Sequence, residues 1–125
     1  MKKFIFVLIT LCMVAFDASA EEVWREVANE MIFAEQPTYR NILLRNNKPE
    51  FSEVRMQVMS TGARIQRAEI VTDRGMSLPA WNLEGDYSSG MERVDLFQKS
   101  KVRAVRMYVT TLQPNEIVRV QIYMR

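Results

Sequence analysis

The sequence predicts an all-β domain, an antiparallel β-sandwich of seven or eight strands. Three observations predict it. Several neighbouring breaks made by the four Gly and four Pro stand about a dozen residues apart, the spacing of sandwich and barrel strands. Between the breaks, apolar and polar residues alternate with period two. Apolar residues make up 48% of the chain, which is core-forming and not disordered composition.

The elements follow in order. Lys2 and Lys3 precede an apolar run from Phe4 to Phe16, closed by Ala18-Ser19-Ala20, the pattern of a signal peptide and its cleavage site. The run falls short of the ~20 residues of a membrane span. The expectation is therefore a cleaved leader over 1–20 and one domain over 21–125. The protein is then exported, periplasmic or secreted, free of the membrane after cleavage, and monomeric by default. Next, Val23, Trp24, Val27, Ala28, Met31 and Ile32 fit one face of a short helix, with Glu21 and Glu22 suited to its N-terminus. Trp24 then plugs the core.

After Thr38 everything reads as strand. Residues 41–44 are apolar-rich. In 52–58, Val54, Met56 and Val58 share one face. In 63–73 the inward set is Ile65, Ala68 and Ile70, and the period slips at Gln66-Arg67, the mark of a β-bulge. Residues 76–83 carry a Pro and suit an edge. In 91–97, Val94 and Leu96 point inward, with Arg93 and Asp95 outward and close enough to pair. Strands at 102–111 and 116–124 complete the set.

Two hairpins are expected. The first joins 51–60 to 63–73 through Thr61-Gly62, with Gly62 at positive φ; Val58 then faces Ile65, and the slip realigns Met56 with Ala68. The second uses Leu112 to Asn115 as a four-residue loop. It sets Val109 against Val118, Met107 against Val120 and Val105 against Ile122. Its other face would collect Arg106, Tyr108, Arg119, Gln121, Tyr123 and Arg125 in one strip, with Arg119 over Tyr108. That strip is the first candidate binding surface, suited to a carboxylate-bearing glycan or an acidic peptide.

Composition excludes several chemistries. The chain has no His and one Cys, and that Cys12 lies in the leader. Disulfides, thiol chemistry, His-dependent triads and ordinary zinc, haem or iron–sulfur sites are thus excluded from the mature chain. No metal or other cofactor is expected. A formal net charge of +2 argues against nucleic acid as a partner.

The order of Trp24-x-x-Val27-Ala28, Phe51-x-x-Val54-x-Met56-x-Val58, Ile65, Ile70-Val71, Gly75, Arg93-Val94-Asp95-Leu96 and Val102-Arg103-Ala104-Val105 with Tyr108 resembles the YaaI-like family of small secreted bacterial proteins of unknown function. The resemblance implies an exported β-sandwich whose first segment, at Trp24, is a strand. It implies no activity, cofactor or catalytic residue.

Other constellations have plainer readings. Glu84, Asp86 and Ser88 offer oxygens for calcium, although Gly, Asp and Ser are also what turns recruit. Glu84, Asp86, Glu92 and Asp95 could supply the paired carboxylates of a glycoside hydrolase, but an Arg neighbour lowers a carboxyl's pKa, the wrong direction for a general acid. The methionines read as core filling. Trp81 shares parity with Leu83 and points into the core; alternatively Trp81 and Tyr87 stand side by side and stack on a sugar, a second candidate surface. The expected function is a non-enzymatic binding or envelope-associated domain whose partner is a glycan, peptide or protein. The alternatives are a small glycan-active hydrolase and a protein inhibitor presenting loop 84–90.

Overall fold

The computed structural model describes residues 23–45 and 50–125; the expected leader and Cys12 lie outside the described residues. Among these, nine strands form two antiparallel sheets: β1 (Arg25–Ile32), β2 (Thr38–Leu43), β3 (Phe51–Met59), β4 (Ala63–Thr72), β5 (Ser77–Pro79), β6 (Gly85–Tyr87), β7 (Glu92–Ser100), β8 (Val102–Thr111) and β9 (Val118–Met124). A 3₁₀ turn, Trp81–Leu83, separates β5 from β6. One sheet runs β1-β9-β3-β7; the other runs β2-β8-β4-β5, with β6 also on β4. Since β5 and β6 pair with successive parts of β4, they act as one interrupted edge strand. Eight lanes with this order make a jelly roll, in which the chain keeps crossing between sheets.

The first segment is a strand, not a helix. β1 pairs with β9 over its whole length, with a bulge between Glu26 and Ala28 that buries two consecutive residues, Val27 and Ala28. That doubled apolar step is what imitates a helical face in the sequence.

Both expected hairpins are absent. β3 pairs with β7 and β9, while β4 pairs with β5, β6 and β8. Likewise β8 and β9 lie in opposite sheets. Each pair faces the other across the core instead of lying side by side. The inward residues are nevertheless the expected ones: Val54, Met56, Val58, Ile65, Ala68, Ile70, Val105, Met107, Val109, Val118, Val120 and Ile122 are all buried. Alternation reports which face is buried and is silent on which strand is the neighbour. Gly62 does not take positive φ; Ser60 does, at 79°. Gly62 is required by space, since a Cβ there would stand 2.8 Å from the Tyr87 carbonyl oxygen.

β7 reverses its expected parity. Val94 and Leu96 are exposed, and Phe97 packs against the core. β7 is a sheet edge, and its inward side meets the 3₁₀ turn and β6 as well as the core. Arg93 therefore lies over the Tyr87 ring at 5.0 Å and donates to the Asp86 carbonyl. Asp95 accepts from the Asn82 backbone and side chain at 3.1 and 3.2 Å. Arg93 and Asp95 do not pair with each other.

Candidate functional site

The slip at Gln66-Arg67 is a β-bulge, although the ladder it interrupts is with β8. Register against β8 shifts between Gln66 and Glu69, and Arg67 takes a left-handed φ of 52°. A bulge re-aims side chains and twists the strand. The opposite edge of β4 breaks at the same level. After β5 the Ala80 N–H donates to the Ala68 carbonyl, and the chain then makes the 3₁₀ turn before rejoining β4 as β6. Strand parity does not apply within that turn. Leu83 is buried while Trp81 is 74% exposed, which overturns the inward reading of Trp81.

Tyr87 is fully buried, and its hydroxyl donates to the Leu83 carbonyl. Burial pushes its phenol pKa up, against the opposing pull of Arg93. Trp81 and Tyr87 therefore do not form a paired surface. The neighbours of Trp81 are others. Arg67, Glu69, Pro79 and Glu84 line one open depression with it, and Arg67 and Glu84 also line a second with Pro37, Gln66 and Tyr108. Across the sheet, Tyr39 of β2 pairs with Tyr108 of β8, rings edge-on at 5.6 Å, and the Arg67 guanidinium lies 5.7 Å from the Tyr108 ring.

The six-residue strip expected at the C-terminal hairpin is divided between the two outer faces. Arg106 and Tyr108 are on the five-stranded sheet; Arg119, Gln121, Tyr123 and Arg125 belong to the other side of the molecule. Arg119 contacts the Met31 sulfur, not Tyr108. Arg106 donates to Glu69 at 3.0 Å and to the Ser77 hydroxyl. The hydrogen bond to Glu69 raises the Arg106 pKa further above its ordinary value.

On the four-stranded sheet the aromatic rings carry cations. Arg55 lies 4.5 Å from the Tyr123 ring and 5.0 Å from Trp24. Arg125 lies 4.3 Å from Trp24 and pairs with Glu53 at 2.6 Å. Tyr123 donates to Gln121. Trp24 is thus half-buried in a cation–π stack on the outside and is not a core plug.

The four carboxylates weighed for hydrolysis are not gathered as a pair. Asp86 is held by Arg64 through two bonds, at 2.7 and 3.2 Å. That guanidinium keeps the Asp86 carboxyl below the usual range. Glu92 lies 3.7 Å from Arg55, and Asp95 caps the 3₁₀ turn. Glu84 and Asp95 have no ion-pair partner among the described residues, and of these two only Asp95 is engaged, by Asn82. Nor is 84–90 a protruding inhibitory loop, because residues 85–87 form β6. Among the described residues no group of three or more His, Cys, Asp or Glu could hold a metal ion.

The fold and this outer face define a jelly-roll β-sandwich with one bare indole on the edge of its five-stranded sheet. No family model and no curated protein matches the chain. Solved structures do resemble it. Pseudomonas aeruginosa AlgX is similar over 81% of this chain at 10% identity, TM-score 0.50, and the chain spans 27% of AlgX. The low-affinity xylan binding module CBM86 from Roseburia intestinalis is similar over 83% of this chain and 86% of its own, at 16% identity, TM-score 0.49. CsCBM6-3 from Clostridium stercorarium, solved with cellobiose, covers 80% and 79% at 8% identity, TM-score 0.42. At these identities the likeness is one of fold.

Proposed function

We propose that this protein is an exported, non-enzymatic binding domain that holds a glycan on the outer face of its five-stranded sheet. The observation that carries the reading is Trp81, 74% exposed at the rim of a depression that Arg67 and Glu84 also line. A large indole left in water is an interaction surface waiting for an apolar face. Sugar rings present such a face, with hydroxyls around it for the flanking polar groups. Trp24 and Tyr123 do not offer the same opportunity, because guanidinium groups already lie against them. Export is supported by the Lys2-Lys3 leader and its Ala18-Ser19-Ala20 end. The YaaI-like resemblance supports the same placement.

The test is Trp81→Ala. Because the side chain is exposed, the variant should keep its unfolding free energy within about 0.5 kcal/mol of wild type. Retardation in affinity electrophoresis through soluble polysaccharides should be lost. A variant retarded as strongly as wild type removes the reading. Intact mass of protein recovered outside the cytoplasm should correspond to a chain starting at Glu21.

A further inference from the structure

We infer that the ligand is a neutral, hydroxyl-rich glycan, with adjacent hydroxyls of one sugar bridged by Arg67 and Glu84 while its ring lies on Trp81. This rests on the glycan reading above and narrows it to a charge class.

The face is balanced in charge, residue against residue. Arg64 is closed by Asp86 at 2.7 Å, and Arg106 by Glu69 at 3.0 Å. Neither is left to attract a polyanion. Of the charged residues lining the two depressions, Arg67 and Glu84 are left without an ion-pair partner among the described residues. Both line the same two depressions, yet no ion pair joins them. Arg67 touches only the Tyr108 ring among the described residues.

That leaves a donor-only fork and an acceptor-only carboxylate facing one space. A pair of neighbouring hydroxyls satisfies both, since each hydroxyl donates once and also accepts. A uronate would satisfy Arg67 and place like charge against Glu84. The backbone shows how Arg67 comes to be placed there. Arg67 sits at φ 52°, a conformation unfavourable for any residue with a Cβ, and does so on the bulge that turns its side chain over Tyr108.

Calorimetry separates the cases. The probes are cellohexaose, xylohexaose and mannohexaose as neutral chains and polygalacturonate as the acidic one, each at low and high salt. At least one neutral hexaose should bind with an affinity that changes less than about twofold between ~50 and ~500 mM NaCl, since no net charge is paired. Glu84→Ala and Arg67→Gly should each weaken that binding about tenfold, with melting temperatures at or above wild type for the glycine variant. Preference for polygalacturonate, falling with salt and strengthened by Glu84→Ala, overturns the inference. If that binding still requires Trp81, the glycan reading stands. Neutral binding indifferent to both substitutions also overturns it. If no glycan binds, or Trp81→Ala binds like wild type, both readings fall.

Discussion

Tyr87 shows how one residue type can carry opposite meanings in a sequence. Its neighbours, Asp86, Ser88, Ser89 and Gly90, are turn formers, yet the ring is fully buried and its hydroxyl is spent on the Leu83 carbonyl. Tyr87→Phe leaves that acceptor without its donor and should cost about 1–3 kcal/mol in chemical denaturation. The phenol also makes a pH-dependent contribution. Folding raises its pKa, so the unfolded chain loses the proton first. The contribution is whole below the ordinary value of 10.0 and declines as pH climbs past it. Melting curves between pH 9 and 11 should therefore fall more steeply for wild type than for Tyr87→Phe. Directly beside this residue, Gly62 is fixed by contact. Its missing Cβ would lie 2.8 Å from the Tyr87 carbonyl oxygen, a backbone atom that cannot swing aside. Gly62→Ala should lose about 1–3 kcal/mol from overpacking, and unchanged stability would show that the two segments are free to part.

At the level of elements, the bulge in β4 and the 3₁₀ turn beside it are one device. The bulge displaces the ladder at Arg67, the edge strand answers with a turn, and the turn presents Trp81. Glycine tolerates the left-handed position better than arginine does, by about 1 kcal/mol. Arg67→Gly should therefore melt at or above the wild-type temperature; a loss of several degrees would mean that the guanidinium supports the fold through Tyr108. How much of this was legible varies with the kind of information needed. The slipped period at Gln66-Arg67 located the bulge because steric alternation is local. Inward parity in β3, β4, β8 and β9 was legible for the same reason. The first strand was obscured by its own bulge at Val27-Ala28. Parity in β7 failed because an edge strand buries its polar side chains against a turn that lies elsewhere in the sequence. Pairing failed at Val58–Ile65 and Val109–Val118 alike, since two apolar faces satisfy the same pattern side by side or across a core. Trp81 was visible as a residue and Glu84 as a carboxylate, but their meeting with Arg67 depends on the turn. Tyr39 left no signal beyond belonging to a strand.

For the molecule as a whole, sheet membership decides which surfaces can act together. Arg106 and Tyr108 share a face with Tyr39, Arg67 and Glu69, and the arginines of β3 and β9 look the other way. Two outer faces of different character result. One carries Trp24 and Tyr123 under Arg55 and Arg125; the other carries the Tyr39–Tyr108 pair and an open indole. The same topology governs stability. β9 lies between β1 and β3, and among the described residues β1 has β9 as its only sheet neighbour. A chain shortened to end before Val118 would lose the middle of one sheet and leave Val27 and Ile32 without cover. It should show no cooperative melting transition by circular dichroism; a sharp transition would mean that the five-stranded sheet folds alone. The first of the described strands in chain order is thus completed by the last of them. As the chain emerges from the ribosome, the four-stranded sheet has to wait for Val118–Met124 to arrive. Completion of that sheet is held back by the order of the strands themselves.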